Sequence, residues 1–122
     1  MVNKKTFCNA EDATITMVKG DTMSFNFSIK GLGRVAENIY FTCKENLNNI
    51  VPLIVKGFNN GVSLISYNEA TDEAIYCLRL SRNDTRDLTP ALYYYDLTLL
   101  EDYDQITLMR GRLNLIYSVL ND

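Results

Sequence analysis

The strongest period in the chain is two. Over residues 22–30, Met23, Phe25, Phe27 and Ile29 fall on one side and Thr22, Ser24, Asn26, Ser28 and Lys30 on the other. This alternation predicts a strand with one face on a core and one in water, because successive side chains of extended backbone point to opposite faces. A shorter strand is expected over residues 14–18, joined to it by a Gly20-Asp21 turn in which glycine supplies a positive φ. Ile39, Phe41 and Cys43 then alternate with Tyr40, Thr42 and Lys44. After a polar loop at 46–49, residues 51–55 are a weaker candidate, which Pro52 confines to an edge or an irregular piece. Residues 57–61 read as a turn and 62–67 as the strand after it. Residues 73–80 are apolar on both faces, Tyr76 and Leu78 against Ile75 and Cys77, which suits a central strand. The last third predicts a strand over 92–100, a turn at 101–104, a strand over 105–109 and a separate one over 112–120. In that final strand Leu113, Leu115, Tyr117 and Val119 would share a face. Residues 81–87 are polar, and Ser81 with Asp84 three positions on is capping-box spacing, so one helical turn is expected there.

Eight or nine short strands between Gly, Asn and Asp turns describe a β-sandwich or small barrel. A length of 122 residues supports one core, so residues 1–122 are read as a single domain, with 1–12 as a loosely ordered arm. The expected core contains or borders on Met23, Phe25, Phe27, Phe41, Tyr76, Leu78, Tyr93, Tyr95, Leu97, Leu113 and Leu115. A formal charge of −3 offers no basic excess for phosphates, which argues against a nucleic-acid partner. No apolar run approaches the roughly 18 residues that span a bilayer, so no membrane partner is expected. The apolar core of a signal peptide is missing from the first residues as well. With three cysteines, an odd number, Cys8, Cys43 and Cys77 are all expected to be unbonded.

Candidate chemistry is sparse. The chain has no histidine, which excludes Ser-His-Asp and Cys-His catalysis and imidazole metal sites. Glu101, Asp102 and Asp104, or Asp84 with Asp87, could offer oxygens to calcium, but they sit where turns need polar residues. No catalytic residue, cofactor-binding residue or metal ligand is therefore nominated, and the chain is read as a non-enzyme. Tyr94 lies opposite Tyr93 and Tyr95 in the alternation, so it faces solvent or a partner. With Tyr40 or Tyr67 it could stack on a sugar ring, which makes a carbohydrate-binding module the alternative function.

Two resemblances add to this. The stretch Thr89-Pro90-Ala91-Leu92-Tyr93-Tyr94-Tyr95 resembles the start of the penultimate long strand of immunoglobulin-like sandwiches. There a tyrosine hydroxyl turns a corner by bonding to upstream backbone, two residues before a core cysteine. Tyr93 is the corner candidate, and Tyr95 would fill the cysteine's place. The fold expected is thus an all-β, antiparallel immunoglobulin-like (Greek-key) sandwich of about eight short strands, with one helical turn near 81–87.

The opening Ile15-Thr16-Met17-Val18-Lys19-Gly20-Asp21-Thr22-Met23-Ser24-Phe25-Asn26-Phe27 resembles the first hairpin of small tailed-phage and prophage structural proteins. These are the N-terminal domains of baseplate and receptor-binding-apparatus components. The later Tyr93-Tyr94-Tyr95-Asp96-Leu97 and Thr107-Leu108-Met109-Arg110-Gly111-Arg112-Leu113 are similar to the same family, with Ala91 where it tends to have glycine. The resemblance implies a structural or adaptor component of a tail or baseplate, made in a bacterial cytoplasm and located in the virion. Its partners would be other virion proteins and further copies of itself.

Overall fold

The computed structural model describes residues 13–102 and 104–119. Its elements are β1 (Ile15–Val18), β2 (Met23–Lys30), β3 (Asn38–Lys44), β4 (Ile54–Phe58), β5 (Gly61–Asn68), β6 (Glu73–Leu80), α1 (Arg82–Thr85), β7 (Ala91–Leu100) and β8 (Gln105–Ile116). The described residues are all-β apart from a single helical turn. Hydrogen-bonded neighbours run in the order β1-β8-β7-β3-β4-β5-β6-β2.

That order forces curvature. Laid flat, eight strands at about 4.8 Å spacing would put β1 and β2 roughly 34 Å apart. Yet β1 and β2 are consecutive, and residues 19–22 between them reach at most about 17 Å. The array therefore curls nearly into a barrel. Gly20, at φ 84°, makes the turn, and its N–H donates to Thr85 Oγ1 at 2.9 Å, tying the link to the fully buried Thr85 of α1.

The pairing is mixed, not antiparallel throughout. β1 runs parallel to β8, Ile15 opposite Leu113 and Val18 opposite Ile116. β4 and β5 are parallel over Gly57–Gly61 and Phe58–Val62. Between them Asn59 at φ 65° and Gly61 at φ 98° turn the chain sideways, held by reciprocal backbone bonds between Gly57 and Asn60. The other ladders are antiparallel.

The alternations place the core as expected. Phe41, Tyr76, Leu78, Tyr93, Tyr95, Leu97, Leu113 and Leu115 are buried, and Met23, Phe25 and Phe27 pack against them. Ser24 and Asn26 are exposed, so the register of β2 is the predicted one. The capping box also forms: the Ser81 N–H donates to Asp84 Oδ2 at 2.7 Å.

Three boundaries differ from the sequence reading. β4 begins only at Ile54 and runs through Gly57 and Phe58, so the turn shrinks to Asn59–Asn60. The strands expected at 105–109 and 112–120 are one strand, β8, continuous through Arg110 and Gly111. Its shared face stops at Leu115; Tyr117 and Val119 lie beyond the strand, 67% and 104% exposed. Leu120 and Cys8 lie outside the described residues.

Gly111 has a role unrelated to turning. It sits on the core side of β8 opposite Tyr95, where the backbone of Ala13 crosses it. A Cβ there would lie 2.1 Å from the Ala13 oxygen. The close approach lets the Ala13 N–H donate to the Arg110 oxygen at 2.9 Å and lets the Tyr95 hydroxyl donate to the Ala13 oxygen at 2.6 Å.

Candidate functional site

The side of β4, β3, β7 and β8 turned away from the core carries a distinctive surface. Cross-strand register sets it out in rows: Lys44, Tyr94 and Arg112 form one, and Val55, Thr42, Asp96 and Arg110 the next. Arg112 is fixed there. Its Nε donates to the Tyr93 oxygen at 3.2 Å and its Nη2 to the Leu92 oxygen at 2.8 Å, which holds the guanidinium 3.8 Å from the centroid of the Tyr94 ring. Such a cation–π contact adds about 0.5–1 kcal/mol at an exposed site and orients both groups. Asp96 accepts from the Thr98 hydroxyl at 3.2 Å. Among the described residues neither Arg110, Arg112 nor Lys44 has a carboxylate partner.

Two adjoining clefts open beside Tyr94. One, of about 320 Å³, is lined by Tyr94, Asp96, Arg110, Gly111, Arg112 and Leu47. The other, of about 210 Å³, lies toward Thr42 and Lys44 and shares Leu47, Tyr94 and Asp96. Leu47 belongs to the β3–β4 connection, residues 45–53. This segment places large apolar side chains in water: Leu47 at 70%, Ile50 at 91% and Val51 at 75% exposure, with Leu53 and Val55 exposed beyond them. Exposed apolar surface of this kind marks a candidate interaction site.

The three tyrosines considered for sugar stacking do not converge. Tyr67 packs against the core and donates its hydroxyl to Asp72 Oδ1 at 3.1 Å. Tyr40 lies along β3 from the Tyr94 row, its ring against Gly57. Tyr94 shares its face with Arg112. Of the candidate acidic residues, Glu101 and Asp84 are used internally. The buried Glu101 carboxylate accepts from Arg34 and, at 2.7 Å, from the Glu37 N–H. Asp84 pairs with Lys56 Nζ at 2.8 Å, both side chains largely buried. No group of three metal-ligating side chains forms among the described residues.

Cys43 and Cys77 are both free thiols. Cys43 is wholly buried on the core side, whereas Cys77, in register with Asn26 and Ser63, is on the outer side of β6, so the two do not face each other. A larger open hollow of about 640 Å³ lies by Cys77 and Arg79, at the end of β4. Burial pushes the Cys43 thiol up from 9.0 to about 12 and raises the Tyr76 and Tyr93 phenols. The folded state thus holds the Cys43 proton where the unfolded chain releases it. Stability from this group is full below pH 9 and declines as pH rises from 9 toward 12. Urea midpoints should fall over that interval, and Cys43→Ala, though less stable at neutral pH, should show a shallower decline.

No protein-family model matches the chain, and no curated protein matches it in sequence. Among solved structures it is similar to the NK cell receptor NKp44, a triggering partner in natural cytotoxicity. The two share a TM-score of 0.50 and 12% identity over 88% of this chain and 99% of that one. The fold is immunoglobulin-like. A marsupial T cell receptor matches at a TM-score of 0.45 and 14% identity, over 87% of this chain and 50% of that chain. The immunoglobulin-like corner is present too: the Tyr93 hydroxyl donates to the Thr89 oxygen. Tyr95, two residues further on, is buried and stacks on Phe41 with ring centroids 5.4 Å apart. Ala91 is not among the residues of positive φ, so alanine in place of glycine carries no strain there. No helix of the described residues is long and apolar enough to cross a membrane.

Proposed function

We propose that this chain is a non-enzymatic assembly domain of a tailed-phage or prophage tail or baseplate, located in the virion and made in the bacterial cytoplasm. Its action is protein–protein docking, with other virion proteins and with further copies of itself as partners. The observation that carries this reading is the apolar β3–β4 connection, with Leu47, Ile50 and Val51 in water and Leu47 lining the clefts at Tyr94. The turn and strand residues shared with phage structural proteins supply the setting. In this reading β1-β8-β7-β3-β4 and β5-β6-β2 are the two layers of a Greek-key sandwich, and the apolar connection projects from the larger layer. Apolar residues on the outer sides of other strands, Ile116 on β8 among them, add surface for a second contact.

Sedimentation at high micromolar concentration, together with probing of purified particles for the chain, tests this. Concentration-dependent association or a particle-bound chain is expected. Ile50→Asp with Val51→Asp should abolish the association at little cost in stability, since both residues are exposed. A strictly monomeric chain absent from particles would overturn the reading. No observation favours the carbohydrate module, because the tyrosines form no platform. Glycan binding lost on Tyr94→Ala would reinstate it.

A further inference from the structure

We propose that the paired clefts beside Tyr94 receive an extended, carboxylate-bearing segment of a partner protein, with apolar residues next to the acidic ones. This names the partner chemistry of the docking surface proposed above and rests on that reading. The first argument is charge. The whole chain carries −3, yet the Lys44–Tyr94–Arg112 and Thr42–Asp96–Arg110 rows hold three cations against one carboxylate. None of the three is neutralised by an acid among the described residues, while Lys56 and Arg34 elsewhere each have one.

The second argument is preorganisation. Arg112 is held by two carbonyl oxygens and the Tyr94 ring, so little side-chain entropy is lost when an anion docks against it. Arginine on a rigid strand suits carboxylates, which its planar fork can bind in a bidentate manner. The third argument separates an acidic peptide from a nucleic acid. Asp96 stands in the middle of the basic rows and would repel a continuous run of phosphates. Leu47 lines both clefts and Val55 stands in register with Thr42 beside them, and these match apolar side chains, not a sugar-phosphate backbone. A peptide alternating acidic and apolar residues satisfies both halves of the surface.

The test uses fluorescence anisotropy with the full chain and a labelled ten-residue peptide of alternating Glu and Leu. Companion probes are an alternating Lys and Leu peptide and single-stranded DNA. The Glu-Leu peptide should bind and weaken as salt rises. Lys44→Glu with Arg110→Glu should weaken it at least about tenfold, because like charges would then face one another across the interface. Neither side chain has a partner to lose, so the thermal midpoint should hold, and Lys44→Gln with Arg110→Gln is the milder companion variant. Absence of Glu-Leu binding at low salt, insensitivity to both double variants, or equal binding of the DNA would overturn the proposal. If Ile50→Asp with Val51→Asp abolishes assembly while Lys44→Glu with Arg110→Glu leaves it intact, docking stands and the acidic partner fails. If neither pair affects assembly, the docking reading itself fails.

Discussion

Asp84→Ala is expected to lower the unfolding free energy by about 3–5 kcal/mol, the cost of leaving one member of a buried ion pair without its partner. Lys56 is on the core side of β4 and is itself 8% exposed; its ammonium ends 2.8 Å from Asp84 Oδ1. Asp84 Oδ2 meanwhile accepts from the Ser81 N–H, so the same substitution also removes the cap of α1. Against a total of about 5–15 kcal/mol for a domain, such a loss leaves the fold marginal. The thermal midpoint should fall by about 12–20 °C at roughly 4 °C per kcal/mol. Lys56→Met in the Asp84→Ala background should restore much of it, because the penalty lies in the uncompensated charge. A single variant with an unchanged midpoint would show that water reaches Lys56 and solvates it.

Gly111→Ala should have the next largest effect, about 3 kcal/mol, through overpacking and loss of a buried hydrogen bond together. The added Cβ would lie 2.1 Å from the Ala13 oxygen and 2.6 Å from its nitrogen, both backbone atoms that cannot rotate away. The segment at Ala13 must lift, and the bonds from the Ala13 N–H to Arg110 and from the Tyr95 hydroxyl to Ala13 go with it. Urea midpoints read the stability. Tyr95→Phe, destabilising in the parent, should cost much less in the Gly111→Ala background. Full additivity of the two would mean that Ala13 shifts without breaking that bond.

How much of this was legible in the sequence depends on the range over which each feature is determined. Met23, Phe25, Phe27 and Ile29 declare their face by strict alternation, and Ser81 with Asp84 declares a helix start within four residues. Tyr93 is recognisable because a tyrosine corner closes over four residues, onto Thr89. Features set by distant neighbours were not legible. Gly111 looks like a break between strands until Ala13 is seen lying on it. Likewise Gly57 looks like a turn, yet β4 continues through it, because the reversal is taken up by Asn59–Asn60. The parallel pairing of β1 with β8 joins opposite ends of the chain and leaves no local mark.

The docking surface was partly visible. Alternation alone puts Tyr94 on the outer side. By their composition residues 46–49 read as a polar loop and 51–55 as a weak strand. Leu47, Ile50, Val51 and Leu53, apolar and without a period around Pro52, were the missed signal. Nothing in the sequence could show that Lys44, Arg110 and Arg112 meet on one face, since that follows from the β3–β7 and β7–β8 registers.

The parallel ladder also dictates a timetable for synthesis. Among the described residues β1 pairs with residues 113–116, about a hundred positions later, and ribosomes add about 5–20 residues each second. Ile15 and the core residue Met17 therefore wait roughly 5–20 seconds for their partner strand to be translated. In that interval the ladders that do not involve β8 can zip, up to the outer edge of β7, while the site for Met17 stands open. The nascent domain is then a nearly complete cup lacking its last stave, and that is when a chaperone, or the wrong neighbouring chain, has its opening.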